Sequence, residues 1–269
     1  MESRIIQSVA EYVGLVCEKN LEMKKNGQKG DVLLFRGQAD KDNELIPSLG
    51  RKTREGNSLL EDERKMIEMA KYKLPTVFRK DLEPLELLAL LQHHGIPTRL
   101  LDVSENALVG LYFACHDNRY TYDLDGEVIV FKSNEMADVN VLLVNSICET
   151  YQRGHEFTED ELCKLKENKI RFVYAPSYSL RQNIQGGRYI LFSNALTEEE
   201  NGIRLIDEIR PISKEKEPVL LRIIVPAKAK KQIRRDLRLL GVSRELLFLD
   251  NADMVCSEIA EVVQGGRTV

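Results

Sequence analysis

The stretch from Leu85 to Cys115 constrains the fold more than any other part of this chain. It opens with LELLALLQHH, apolar nearly all round, so a helix over 85–94 has no face for water and belongs in a core. Pro84 suits the helix start, and Gly95 with Pro97 supplies the stop. Thr98 to Val103 then reads as a strand, with Ser104 as the N-cap of a second apolar helix, ENALVGLYFAC. Such a unit cannot bury itself. It needs strands beside 98–103 and further elements packed over both helices.

The rest of the chain offers them. Ile5, Val9, Val13 and Val16 recur at helical spacing, and the polar run 25–30 ends that first helix. Val32 to Phe35 reads as a short buried strand stopping at Arg36-Gly37. Ser58 with Glu61, and Thr158 with Glu161, have capping-box spacing ahead of two more helices. Strands are predicted at EVIVF after Gly126, at 171–174, 188–192 and 219–225, and helices near 227–240 and 252–263. The order lacks a strict βαβ rhythm, which predicts an α+β fold with a mixed or mostly antiparallel sheet packed by helices. The expected organisation is an N-terminal helix over 1–30 followed by one α+β domain over 31–269.

Several function classes are excluded or disfavoured. The sequence contains no GxxxxGK[ST], GxGxxG, HExxH or GxSxG motif. Five scattered cysteines, with no CxxC pair, read as reduced thiols in a cytoplasmic protein. No signal-peptide core and no membrane-length apolar run are present. His93 and His94 diverge by about 100° on a helix, so no metal site is expected from them. The formal net charge of -4 gives no global pull toward nucleic acid.

Three clusters carry residue types that packing does not require. Phe35-Arg36-Gly37-Gln38 ends a buried strand, where an arginine fork suits a phosphate or carboxylate. Alternatively, Arg36 snorkels or pairs with a core acid. The second, Gln92 to Ser104, gathers His94, Arg99, Asp102 and Ser104 around the central unit. There strand alternation puts Arg99 with Leu101 and Leu100 with Asp102, while capping is the plainer role for Asp102 and Ser104. The third, Arg181-Gln182-Asn183-Ile184-Gln185-Gly186-Gly187-Arg188-Tyr189, is first a turn and then a candidate second wall of a polar pocket.

FRGQ (35–38), PSLGR (47–51), LLALLQHHGIPTRLLDVSENALVGLYFA (87–114), RQNIQGGRYILF (181–192) and GVSRELLFLDNAD (241–253) resemble the FRG domain in order and spacing. Val103 stands where that family often has tryptophan, and QGGRY departs from its usual spacing. The resemblance implies a bacterial or phage-associated protein, in some loci beside defence genes, and it implies no activity.

Two functional readings follow. In the first, the chain is a sensing or binding module for a small anionic ligand or a protein partner. Arg36, Gln38, Arg99, Ser104 and Arg181 are then its candidate ligand-binding residues, or Arg36, Arg99 and Asp102 form a buried ion-pair network. The second is an enzyme similar to ADP-ribosyltransferases, many of which open with a strand ending Tyr-Arg-Gly, as Phe35-Arg36-Gly37 does here. NAD would then be the candidate cofactor, with Arg36 and Arg99 gripping phosphate. His94, Asp102 and Gln185 are the candidate catalytic residues, with Glu198, Glu199 and Glu200 as further acids. A third alternative, disfavoured by the net charge, is nucleic-acid binding through helix 227–240, where six basic residues oppose an apolar stripe.

Overall fold

Leu100 and Leu101, adjacent in sequence, point into two different layers of the core in a computed structural model of the chain. The structure describes residues 2–248 except 27–29, 53–55, 57, 117–120, 122, 134–141, 154–155, 168–170, 177–179 and 200–201. The predicted helix 252–263 lies outside the described residues.

Along the chain the elements are β1 (Glu2–Ile5), α1 (Val9–Asn26), β2 (Val32–Gln38), α2 (Glu63–Lys73), α3 (Pro84–His93), β3 (Leu100–Ser104) and α4 (Ala107–Ala114). There follow β4 (Gly126–Ser133), α5 (Leu142–Arg153), α6 (Glu159–Glu167), β5 (Arg171–Val173), α7 (Leu180–Ile184) and β6 (Gly187–Leu191). The hairpin β7 (Leu196–Glu199) and β8 (Gly202–Leu205) comes next, then β9 (Val219–Val225), α8 (Ala227–Leu239) and α9 (Arg244–Leu247).

Seven strands form one open sheet in the order β1-β9-β4-β2-β3-β6-β5, and β7 and β8 pair by themselves. Every pair in the large sheet is antiparallel except β1 with β9. This is a mostly antiparallel α+β architecture, as the order of elements predicts. Helices cover one face in two groups. α1, α4 and α8 pack on β2, β4 and β9 around Tyr12, Phe35, Leu111 and Ile223. α2, α3, α5 and α6 pack on β3, β5 and β6 around Leu88, Leu91, Leu100 and Leu191. The opposite face carries one continuous apolar layer, from Leu34 and Ile129 across Leu101 to Ile190.

The central unit is buried as its composition demands: five consecutive residues of α3, Leu87 to Leu91, are at most 8% exposed. Glu83 caps α3 in a reciprocal box with Glu86, and Pro84 occupies its first turn. Four local expectations are corrected. Ile5 belongs to β1 and not to the first helix, because pairing with β9, remote in sequence, captures it. β2 continues through Gly37 to Gln38, since β4 supplies a partner at every position. The N-cap of α4 is Asn106, whose Oδ1 accepts from Leu108 N at 3.0 Å, because the helix starts at Ala107 and Ser104 Oγ accepts from Asn106 N, at 2.9 Å, short of the helix. Ser58 Oγ accepts from Leu60 N at 3.4 Å and introduces a 3-10 turn, so α2 begins only at Glu63.

Candidate functional site

Between the two helical groups, β2 and β3 are neighbours that pair only at Phe35 opposite Ser104. Beyond that pair they separate, and the Arg36 side chain fills the gap. Its Nη1 donates to the backbone carbonyl of Asp102 at 2.5 Å, replacing the ladder that the strands do not form. Beside this gap lies a cavity of about 270 Å³, walled by β2, α3, β3, α4, α7 and β6. It lies at the small end of ligand pockets.

The backbone around the cavity depends on close approach. A Cβ on Gly37 would meet the Gly110 carbonyl, and one on Gly110 would meet the Phe35 side chain, so β2 and α4 are in backbone contact. Gly37 therefore serves helix packing. This contact brings Phe113 to the cavity on the same side as Phe35.

Arg36 is half-buried, and its Nε is buried without a partner. Burial pulls its pKa down to about 10, against an upward push from Asp102 and with a further downward one from Arg51. It stays charged at neutral pH. Its single hydrogen bond goes to a carbonyl, and it makes no salt bridge among the described residues.

The Asp102 carboxylate is exposed in the cavity, and its Oδ2 accepts from Gln92 Nε2 at 3.0 Å. The other end of the Gln92 amide accepts from the Thr98 hydroxyl, whose oxygen accepts from Leu100 N at 3.1 Å. Tyr189 stands opposite Asp102 in the β3–β6 ladder. Burial, reinforced by the Asp102 charge, holds the Tyr189 phenol well above its ordinary pKa, so it is a donor at neutral pH.

The third cluster forms the far wall. Arg181 lines the cavity and lays its guanidinium over the Phe248 ring, 4.5 Å from the centroid. Gln185 lines it too, but its Nε2 donates to the Leu247 carbonyl at 2.9 Å and its own carbonyl accepts from Ser104 Oγ at 2.5 Å. Ser104 is thus buried and committed to holding the 185–186 turn against β3.

Of the candidate residues, Arg36, Asp102, Ser104, Arg181 and Gln185 share this one cavity, and Gln38, His94 and Arg99 are not among its lining. Gln38 is buried and donates to the carbonyls of Asn43 and Glu44, because β2 carries it past the gap. His94 is exposed at the end of α3, edge-on to Phe78.

Arg99 is 1% exposed, and its Nε donates to Glu63 Oε1 at 2.8 Å while Nη2 meets Glu63 Oε2. Nη1 reaches Phe192 O and Asn194 Oδ1, and the Tyr151 ring covers the guanidinium at 3.4 Å. Burial opposes its charge, but Glu63 outweighs burial and the pKa rises. No network joins Arg36, Arg99 and Asp102: the acid paired to Arg99 is Glu63, and Arg36 bonds only the Asp102 backbone.

Glu198 pairs with Lys166 on the β7–β8 hairpin, and Glu200 lies outside the described residues. The basic face of α8 is reduced as well. Lys230 is buried and donates to Ala39 O at 2.5 Å, and Arg234 donates to Cys115 O at 2.7 Å.

The cavity adds Gln92, His93, Phe113, Gln182 and Tyr189 to the candidates. Gln92, His93, Gln182 and Tyr189 lay inside the sequence clusters without being singled out, and Phe113 lay outside them. Among the described residues, no three His, Cys, Asp or Glu side chains group as a metal site. No helix among them is long and apolar enough to cross a membrane.

Residues 31–122 match the family model of the FRG domain, a span that holds β2 through α4 and three of the five sequence blocks. No curated protein and no solved structure matches the chain at a significant level.

Proposed function

We propose that this FRG-domain protein binds a small phosphate-bearing ligand in the cavity between β2 and β3, with Arg36 as the anion-holding residue, and acts as a ligand-sensing module. The observation that carries this reading is the state of Arg36. A guanidinium at a cavity wall, with one hydrogen bond to a carbonyl and no ion pair among the described residues, has N–H donors left to offer an anion. Arg181 adds a second positive charge on the opposite wall, and Phe35 and Phe113 offer apolar surface for a ring. Among the described lining residues, two arginines against one carboxylate leave a net positive charge.

The transferase reading rests on Asp102, the one carboxylate among the described lining residues. It would serve both to orient a sugar and to stabilise a positive centre, roles that two-carboxylate sites divide. At about 270 Å³ the cavity suits a mononucleotide or a sugar phosphate better than a whole dinucleotide. NAD would engage it through one half. Sensing is therefore the better supported role.

Titration calorimetry and thermal shifts with ribose 5-phosphate, AMP, NAD and pyrophosphate test the reading. Wild type is expected to bind at least one of them, and Arg36→Lys to weaken that binding by about tenfold or more while melting within a few degrees of wild type. If no probe binds wild type, or if Arg36→Lys binds as well as wild type, the proposal is wrong.

A further inference from the structure

We infer that Asp102 makes this cavity selective for an anion that carries its own hydrogen-bond donors, a sugar phosphate or nucleoside phosphate, and sets it against bare polyanions. The inference rests on the proposed anion site at Arg36, and it concerns what must surround the anion.

The relay begins at the backbone of Leu100, whose N–H can only donate. It donates to Thr98 Oγ1 at 3.1 Å, which directs the Thr98 hydroxyl proton to Gln92 Oε1. The Gln92 amide is thereby oriented, and its Nε2 donates to Asp102 Oδ2 at 3.0 Å. The flipped amide would set its oxygen against the carboxylate, two acceptors face to face. Thr98 is 1% exposed, so water does not compete for the start of this relay.

The relay fixes Asp102 as an acceptor standing in the cavity. No salt bridge neutralises the carboxylate among the described residues, because Arg36 bonds the Asp102 backbone carbonyl and leaves the side chain alone. The ligand therefore meets the donors of Arg36 and, on the neighbouring strand, an acceptor of opposite charge. A phosphate on Arg36 with hydroxyls extending toward Asp102 satisfies both. A second phosphate in the same place confronts the like charge of Asp102 at close range. The two arginines and one carboxylate among the described lining residues also fit a phosphate dianion with neutral donors better than a zwitterion carrying a single carboxylate.

Calorimetry on the full chain with ribose 5-phosphate and with inorganic pyrophosphate decides the matter. Wild type is expected to bind ribose 5-phosphate at least about tenfold more tightly, some 1.4 kcal/mol. Asp102→Asn should weaken ribose 5-phosphate and strengthen pyrophosphate, so that the ratio falls toward one or inverts. Gln92→Leu, which removes the hold on the carboxylate and leaves the charges of Arg36 and Asp102 in place, should shift the ratio the same way by less. The wild-type ratio needs no variant to fold. Pyrophosphate binding as tightly as ribose 5-phosphate to wild type overturns the inference and leaves the anion site standing. An unchanged ratio in Asp102→Asn overturns the role of Asp102. Failure of both ligands to bind wild type overturns this inference, and the anion site falls with it only if AMP and NAD fail as well.

Discussion

A methyl group on Gly37 would lie 1.9 Å from the carbonyl oxygen of Gly110 and 2.6 Å from the amide nitrogen of Ala114. The obstructing atoms are backbone on both sides, so no rotamer change relieves the overlap. Gly37→Ala is expected to part β2 from α4 and cost at least the ~1–3 kcal/mol typical of an overpacked core. Chemical denaturation measures the loss, and stability within error of wild type would contradict the close approach.

Glu63 and Arg99 form a sealed pair, 7% and 1% exposed in their side chains. Glu63→Ala should destabilise the protein by about 3–5 kcal/mol, because it strands a buried guanidinium. The double variant Glu63→Leu, Arg99→Met should recover much of that loss. Ligand affinity at the cavity should stay within about twofold of wild type in whatever fraction is folded, since neither residue lines it. Denaturation curves and calorimetry on the same samples check both statements.

Leu101 is 2% exposed, in the layer shared by both halves of the sheet. Leu101→Ala should cost about 2–5 kcal/mol. Leu239, 86% exposed on α8, is the control, and its alanine variant should change stability by no more than ~0.5 kcal/mol. Equal melting temperatures for the two variants would refute the assigned burial.

The Glu161 carboxyl is held below its ordinary 4.5, first by the Ser146 hydroxyl and then by the backbone N–H of Thr158. A carboxyl with a depressed pKa contributes stability above its ordinary value and loses it as pH falls through the lowered one. Denaturant melts from pH 6 to pH 3 should show wild type losing stability in that acid range. Glu161→Gln should start about 1 kcal/mol lower and lose less on acidification. Parallel curves for the two proteins would contradict the assignment.

The core-facing elements were legible in the sequence because their apolar patterns are local. α3, β4, β9 and α8 fall within about a turn of the predicted spans, as expected where a continuous apolar run or a capping proline sets the boundary. The capping box of α6 is present as read, with Thr158 N donating to Glu161 Oε2 at 3.0 Å. β1 was illegible for a physical reason. Its four residues, ESRI, are all exposed and show no alternation, and its partner β9 lies more than two hundred residues downstream.

The site divides in the same way. Arg36 and Asp102 could be singled out as charged residues beside a buried strand, and the fold brings them to one cavity. Arg99 carries the same local signal, yet its fate depends on Glu63, a residue 36 positions away inside an ordinary amphipathic helix. Gln92 had no signal beyond its neighbours. Its importance comes from the direction of three hydrogen bonds, and direction cannot be read from composition.

The single register pair between β2 and β3 makes the large sheet two leaves on a narrow hinge. One leaf is β1-β9-β4-β2 under its own helices, and the other is β3-β6-β5 under a separate set. Backbone amides of β2 that face β4 sit in a seven-rung ladder, whereas on the β3 side there is one rung and the Arg36 bridge. Backbone opening should start at that line, where the ladder is thinnest, while the apolar layer from Leu34 to Ile190 still joins the leaves. A ligand that touches Arg36 on one leaf and Asp102 on the other would then act as a splint, so that occupancy is written into the slow breathing of the whole domain.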